Sequence, residues 1–171
     1  RIEIYRTLHV YEMSASSEGA PVTLAPEFDR DCTEYTAQVP QGAENITLNL
    51  QYPHENEDRP CGYYMDVTCG SQEKRLEFVN DTLLPVELAL DPLQKTETIA
   101  VTVGCQDSAA KPGQYTIRLE KLPPVTAEFQ VEPAEASILV VSELSGQRAW
   151  PDDTGTFILM QGHSYRYTLT C

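Results

Sequence analysis

The sequence predicts an all-β protein: an antiparallel immunoglobulin-like β-sandwich followed by a smaller second β-domain. The first observation is that apolar and polar residues alternate in seven or eight short segments between Thr7 and Lys121. Turn residues separate these segments. No segment shows the spacing of apolar residues that is typical of an amphipathic helix. The second observation is a pair of prolines, Pro123 and Pro124, followed by further alternating segments. Adjacent prolines form a stiff extended spacer, so we expect domains at residues 1–122 and 123–171.

The clearest strand follows a loop rich in turn-forming residues. Within residues 34–39, Tyr35, Ala37 and Val39 alternate with polar residues, which indicates a strand with one buried face. In the preceding residues 24–33, a proline and two aspartates disfavour regular structure. Phe28 lies among them, and we expect it to anchor this loop to the core.

The remaining strands of the first domain follow from the same alternation. We expect a first strand over residues 7–15, a polar turn over residues 14–20 and a charged loop over residues 53–60. The apolar residues of successive segments are Leu8 and Val10; Ile46, Leu48 and Leu50; Met65 and Val67; Leu76 and Phe78; Val86, Leu88 and Leu90; Ile99, Val101 and Val103; and Tyr115, Ile117 and Leu119. Such alternation is typical of an antiparallel sandwich. We expect one core that contains Tyr35, Val39, Leu48, Val101 and Ile117.

The second domain repeats the pattern on a smaller scale. Its alternating apolar residues are Phe129 and Val131; Ile138 and Val140; Phe157 and Leu159; and Tyr165, Tyr167 and Leu169. A unit of about 47 residues is marginally stable alone. We therefore expect this domain to lack a last strand beyond Cys171 or to pack on the first domain. Because the chain already alternates from Arg1, we also expect it to be a segment of a longer protein.

Both parts of the chain resemble domains of bacterial surface proteins. The order and spacing of Phe28, Tyr35, Val39 and Pro40 and of the closing residues 115–117 resemble the cadherin-like β-sandwich domain, over about residues 7–121. The last turn departs from that family, since Asp107-Ser108 replaces its usual Asp-Gly. Residues 125–171 resemble a PEGA-type or carboxypeptidase-regulatory-like β-domain through Pro133, Ala136, Gly146, Gly155, Gly162 and Tyr165. The resemblance implies a surface or secreted protein, without cadherin-type calcium binding.

The charge of the chain argues against polyanionic partners. The formal net charge is -14, with 10 basic and 20 acidic residues before the two prolines and 2 and 6 after them. No basic stripe is available for phosphates, so we expect neither nucleic acid nor an anionic membrane surface as a partner. No apolar run reaches the length of about 20 residues that a membrane span needs, so we expect no membrane insertion.

Five cysteines indicate an oxidising compartment. Their spacings of 29, 8, 36 and 66 residues contain no Cys-x-x-Cys, so we do not predict a zinc site. In a sandwich of the family that the chain resembles, the strands that end at Cys69 and Cys105 would be antiparallel neighbours. In that arrangement Cys61 lies beside Cys105. If residues 61–69 form one strand, Cys61 lies about 26 Å from Cys69, which is too far for a disulfide. We expect a Cys61–Cys105 disulfide, with Cys32–Cys105 as the alternative and Cys69 and Cys171 unpaired within this chain.

Three aromatic residues are the candidate binding residues. Tyr63 and Tyr64 are adjacent on one strand, so one faces outward if the other is buried. Trp150 precedes the turn-like segment Pro151-Asp152-Asp153. An exposed ring there would stack on sugars or proline-rich peptides. Alternatively, Trp150 fills the open end of a small core or the seam between the domains, which is the interpretation that we favour.

Neither a metal site nor a catalytic site is predicted. Asp29 and Asp31 would need oxygens from elsewhere to bind calcium, and capping their own turn is the simpler role. The acidic residues Glu55, Glu57 and Asp58 fit a solvated loop. The three histidines, His9, His54 and His163, are scattered, and no Gly-x-Ser-x-Gly or His-Glu-x-x-His motif is present. We expect no cofactor and no enzymatic activity. The 26 acidic residues do not by themselves exclude a pair of carboxylates of the kind that hydrolyses glycosides.

These observations favour a non-catalytic extracellular segment of a bacterial surface or secreted protein that acts as a spacer and adhesion module. One alternative is a glycan- or peptide-binding module that uses exposed aromatic residues, with a cell-surface protein or glycan as its partner. Another is an accessory domain of a surface enzyme. A fold alone does not determine function, so the alternatives stay open at this point.

Overall fold

The computed structural model describes residues 6–53, 62–106, 110–128, 137–161 and 163–170. The described residues form β-strands and turns, without an α-helix, and the predicted all-β fold class is confirmed. None of these residues belongs to an apolar helix long enough to cross a membrane. The chain divides into two compact units, Arg1–Val39 with Ala43–Glu120, and Pro40–Gly42 with Lys121–Cys171. The domain limits of residues 1–122 and 123–171 stay a prediction about independently folding domains.

The larger unit is a β-sandwich. Its strands are β1 (Arg6–Thr7), β2 (Glu12–Ser17), β3 (Ala20–Val22), β4 (Leu24–Ala25), β5 (Glu34–Pro40), β6 (Asn45–Gln51), β7 (Tyr63–Cys69), β8 (Gln72–Leu76), β9 (Leu83–Ala89), β10 (Thr96–Cys105), β11 (Ala110–Lys111) and β12 (Gly113–Leu122). One sheet has the order β4-β5-β12-β10-β7-β8 and the other has the order β3-β2-β6-β9. Strands β1 and β11 form a short parallel ribbon.

One pairing in the larger sheet is parallel. The amide of Thr116 donates to the carbonyl of Thr33 at 2.8 Å, and the amide of Gln41 donates to the carbonyl of Leu122 at 2.9 Å. From the first bond to the second, the residue numbers increase along both β5 and β12, so these two strands run parallel. By contrast, β10 pairs antiparallel with both β12 and β7.

The core lies where the inward faces of the two sheets meet. Tyr35, Val39, Leu48, Val101 and Ile117 are all buried in one hydrophobic cluster, which confirms the predicted core. Their burial follows from period-two alternation, because successive side chains of a strand point to opposite faces. Burial of one such side chain stabilises the fold by about 1.5–3 kcal/mol.

The beginning of the chain differs from the prediction. The strand expected over residues 7–15 is interrupted, and strand β2 continues through the expected polar turn to Ser17. Ser17 is buried because its hydroxyl donates to the carbonyl of Asn45 at 2.7 Å. The turn is reduced to Glu18-Gly19, both with positive φ. Serine is common in turns, so the sequence predicted a turn at Ser17. In the structure, the hydrogen bond of its hydroxyl group allows the side chain to face the core.

The loop before β5 is fixed by the hydroxyl group of Tyr35. This group donates towards the carbonyls of Asp29, at 2.5 Å, and Cys32, at 2.9 Å, and the amide of Asp29 lies 3.3 Å away. Phe28 packs on the core with its ring 6.1 Å from that of Tyr35, which confirms its role as an anchor. Burial raises the pKa of Tyr35 to about 12. The loop therefore depends on a neutral tyrosine.

The smaller unit consists of two small sheets. Its strands are β13 (Val125–Glu128), β14 (Ser137–Ser142), β15 (Arg148–Ala149), β16 (Thr156–Leu159) and β17 (Tyr165–Thr170). Strand β13 pairs with β16, and the other sheet has the order β15-β14-β17. Val140 and Phe157 are the buried apolar residues of this unit among those described. Phe129 and Val131, which were expected to form a strand, lie outside the described residues.

The alternation in β17 does not produce a buried face. Tyr167 lies opposite the buried Val140 in the register, yet its side chain is 61% exposed. Leu169 is also exposed. The alternation of Tyr167 and Leu169 therefore does not correspond to burial in the described structure. The physical reason is that β17 is an edge strand, and the few apolar residues of so small a unit do not cover it.

Candidate functional site

Tyr63 contributes to packing in the larger unit. Its ring centroid lies 6.4 Å from that of Tyr52 and 5.7 Å from that of Phe78. Tyr52 is fully buried and donates its hydroxyl to the carbonyl of Leu76 at 2.7 Å. Burial raises the pKa of Tyr52 to about 12. Tyr63 is therefore half-buried in an aromatic cluster, and its ring is not available as a platform for a ligand.

Tyr64 is the outward-facing member of the tyrosine pair, but protein groups cover it. A Cβ atom at Gly104 would lie 2.2 Å from Cζ of Tyr64, so the ring packs where only glycine leaves room. The guanidinium of Arg75 lies 5.0 Å from the ring centroid and forms two 2.6 Å hydrogen bonds with Asp66. The hydrogen bonds that Arg75 donates to Asp66 raise the pKa of Arg75 above its ordinary value. Tyr64 is thus half-buried in a local cluster.

Trp150 is different, because 67% of it is exposed. The interpretation that it fills the open end of its own unit's core is therefore wrong. It directly follows β15 and precedes Pro151, which forms an isolated bridge with Phe157. The guanidinium carbon of Arg148 lies 3.7 Å from the centroid of the indole ring. This stacking orients both side chains through a cation–π contact.

The turn after Trp150 is held by Asp152. Its Oδ1 accepts hydrogen bonds from the amide of Thr154 at 2.9 Å, the hydroxyl of Thr154 at 2.6 Å and the amide of Thr156 at 3.0 Å. The hydroxyl of Thr154 and these amides lower the pKa of Asp152. Gly155 supplies the positive φ of 84° that the turn requires. The backbone beside Trp150 is therefore fixed, although the indole is exposed.

Arg148 and Trp150 belong to one open face of the sheet β15-β14-β17. Val141 lies opposite Arg148 on one side and opposite Arg166 on the other, so these three residues form a row across the sheet. Residues directly opposite each other share a face, and Leu139 occupies the same face two residues before Val141. We call this surface the Trp150 face and define it by Leu139, Val141, Arg148, Trp150, Arg166 and Thr168. All of them are exposed except Val141, which is half-buried.

The Trp150 face carries the positive charge of its part of the chain. Arg148 and Arg166 are the two basic residues that follow the two prolines. Arg166 lies 3.3 Å from Glu143, and both side chains of this pair are largely exposed. Among the described residues, no carboxylate forms an ion pair with Arg148. An exposed aromatic ring therefore carries, over one of its faces, a guanidinium that has no ion-pair partner among the described residues.

A shallow cleft on the larger unit has a structural explanation. It is lined by Thr7, Leu8, His9, Val10, Tyr11, Arg30, Pro53 and Tyr63. Nδ1 of His9 lies 2.9 Å from the carbonyl of Arg30, and because a carbonyl only accepts, Nδ1 carries the proton. Tyr115 donates to the same carbonyl at 3.0 Å. Both side chains hold the loop in place.

The acidic residues of the same loop cap their own backbone. Oδ1 of Asp29 accepts a hydrogen bond from the amide of Asp31 at 2.9 Å, as the turn interpretation predicts. Among the described residues, no group of three histidine, cysteine or acidic side chains has the geometry of a metal site. Glu55, Glu57 and Asp58 lie outside that part of the chain.

The predicted Cys61–Cys105 disulfide stays a prediction, because Cys61 lies outside the described residues. The strand arrangement behind it is confirmed: β7 and β10 are antiparallel neighbours, and Cys105 lies opposite Tyr63. The described cysteines Cys32, Cys69 and Cys105 form no disulfide with one another. The alternative Cys32–Cys105 bridge is not formed in the described structure, and the pairing in oxidised protein stays a prediction. Cys171 also lies outside the described range.

Sequence reasoning found Trp150 but missed the two arginines of the Trp150 face. The available signal was the spacing of Arg148 and Trp150, which places both on one side of an extended chain. A second signal was that Arg166 lies in the alternating segment of Tyr165, Tyr167 and Leu169. Comparisons of the chain with protein-family models, curated proteins and solved structures found no match.

Proposed function

We propose that this chain is a non-catalytic extracellular segment of a surface or secreted protein, and that it mediates adhesion by binding a glycan on the Trp150 face. The sandwich fold and the five cysteines of the chain support this assignment. The resemblance to domains of bacterial surface proteins points in the same direction. The observation that carries the proposal is the 67% exposure of Trp150.

Exposure of this side chain has a large cost in stability. A buried tryptophan removes about 150–250 Å² from water, which is worth about 4–6 kcal/mol at 25 cal/mol per Å². An indole that is 67% exposed forgoes most of this stabilisation. The unit has only Val140 and Phe157 as buried apolar residues among those described, so an inward tryptophan would benefit it greatly. An aromatic ring that is ordered but exposed is typical of a binding surface.

The shape of the Trp150 face favours a sugar over a proline-rich peptide. Proline-rich peptides bind grooves that are lined by several aromatic residues. The described residues of the Trp150 face include one aromatic ring, and the Arg148 guanidinium covers one of its two faces. The C–H groups of one sugar face pack well on the electron-rich face of a single indole. The hydroxyl groups of the sugar can accept hydrogen bonds from the neighbouring guanidinium.

The proposal is tested by a titration that uses the intrinsic fluorescence of the chain. Trp150 is the sole tryptophan, so any change in indole emission reports on the Trp150 face. We expect glycans that bind to shift this emission and to protect it from quenching by acrylamide. We expect Tyr167→Ala to leave the titration unchanged, because Tyr167 is exposed on the opposite face of the same sheet. A panel of surface glycans that leaves the emission unaffected would contradict the proposal.

A further inference from the structure

We propose that the ligand of the Trp150 face is an acidic sugar, in which the carboxylate binds Arg148 while the ring stacks on Trp150. This inference rests on the proposed function and specifies its substrate class. It starts from the placement of charge. The chain has a net charge of -14, yet Arg148 and Arg166, the two basic residues after the prolines, share one face of one sheet.

The geometry of the row suits a single sugar residue. Arg148 and Arg166 lie on the two outer strands, and Val141 lies between them on the central strand. Neighbouring strands are about 4.8 Å apart, so the two arginine backbones are separated by roughly 10 Å. Trp150 extends this face beyond Arg148. Because the Arg148 guanidinium covers one face of the indole, the sugar would stack on the other face, and its carboxylate would reach the guanidinium past the edge of the ring.

The chemistry of Arg148 favours a carboxylate. A guanidinium presents two parallel N–H donors that match the two oxygens of a carboxylate. Stacking on Trp150 at 3.7 Å fixes the plane of the Arg148 guanidinium and leaves its edge donors to a ligand. Arg166 is engaged by Glu143 through a single exposed contact of 3.3 Å. Such an exposed pair contributes little energy. Arg166 therefore still adds to the positive electrostatic potential of the face, but it is the weaker of the two anion-binding groups because Glu143 is its neighbour.

The charge of the whole chain limits the number of charges on the ligand. At physiological salt an exposed charge is screened beyond about 8 Å, so a carboxylate bound to Arg148 interacts mainly with that arginine. A long sulfated or phosphorylated polymer would extend over the acidic surface of the protein and be repelled. We therefore assign the site to isolated acidic sugars such as uronic or sialic acid residues, and not to polyanions or acidic peptides.

The experiment compares matched pairs of ligands. Methyl glucoside with methyl glucuronide, and lactose with sialyllactose, are titrated against the full chain by tryptophan fluorescence and NMR. We expect the acidic member of at least one pair to bind about 10- to 100-fold more tightly, which is the range for hydrogen bonds to a charged group. We expect Arg148→Gln to abolish this preference and Arg148→Lys to retain part of it. Added salt should weaken binding of the acidic member alone.

Control variants separate the possible outcomes. Arg118→Gln removes an exposed arginine of the larger unit and should change nothing. Binding of both members of each pair with equal affinity, still dependent on Trp150, would overturn the acidic-sugar inference and leave the proposed function standing. Preferential binding of heparin or of an acidic peptide would also overturn the inference. Absence of binding for every sugar would overturn both proposals. Thermal unfolding of each variant confirms that it is folded.

Discussion

The hydroxyl group of Tyr35 provides a quantitative test of the packing in the larger unit. Tyr35→Phe keeps the buried ring and removes the hydrogen bonds to the backbone of Asp29 and Cys32. Water can replace part of these bonds because the loop is near the surface. We therefore expect the free energy of unfolding at pH 7 to fall by about 1–2 kcal/mol.

The same hydroxyl group predicts a dependence on pH. Burial raises the pKa of Tyr35 from 10.0 to about 12 in the folded protein. Because the folded-state pKa is the higher one, this stabilisation is complete below pH 10 and is lost as the pH rises towards 12. The loss is about 1.4 kcal/mol per pH unit and at most about 2.7 kcal/mol in total. The wild-type chain and Tyr35→Phe should therefore become equally stable near about pH 11.

Urea unfolding followed by circular dichroism is the appropriate assay. Fluorescence is unsuitable, because the sole tryptophan is already exposed in the folded protein. The control is Tyr11→Phe, since Tyr11 is 53% exposed and lies outside the bonded loop. A stability difference between wild type and Tyr35→Phe that stays constant from pH 8 to about pH 12 would show that the Tyr35 hydroxyl is not buried as described.

Three further predictions concern other parts of the chain. Gly104→Ala should lower the free energy of unfolding by about 1–3 kcal/mol, because a Cβ would collide with the ring of Tyr64. The loss should be smaller in a Tyr64→Ala background, and equal losses in a double-mutant cycle would contradict the described contact. Non-reducing peptide mapping of oxidised protein should yield a Cys61–Cys105 peptide, and reduction should lower the stability by about 4 kcal/mol. A map that shows Cys61 as a free thiol would contradict this pairing. Iodide should quench Trp150 more strongly than caesium does, because Arg148 attracts anions to the indole. Equal quenching by both ions would count against a positive potential at this face.

Much of the larger unit could be predicted because alternation and burial coincide there. Val101 and Ile117 lie on long strands in which large apolar residues alternate with polar or small ones, so period alone places them in the core. Ser17 shows where this reasoning fails. Its burial depends on a hydrogen bond to Asn45, a residue that is distant in sequence. Hydrophobicity cannot reveal such a partner.

The candidate site was predicted less completely, since it depends on which strands become neighbours. Trp150 stood out in the sequence as the sole tryptophan beside a turn. That Arg166 lies in the same row as Arg148 follows only from the register of β14 with β15 and β17. The exposure of Tyr167, which lies opposite the buried Val140, likewise depends on the position of β17 at the edge of its sheet. In both cases the missing information was the arrangement of the strands in the tertiary structure.

The central claim is that the Trp150 face binds a glycan, and one comparison tests it most directly. Wild-type chain, Trp150→Ala and Tyr167→Ala are applied to the same glycan array at physiological salt. Both variants lose a large exposed side chain from the same sheet, but from opposite faces. We expect the signal of the wild-type chain to be lost in Trp150→Ala and kept in Tyr167→Ala. A signal that survives Trp150→Ala, or a wild-type chain that gives no signal, would contradict the claim.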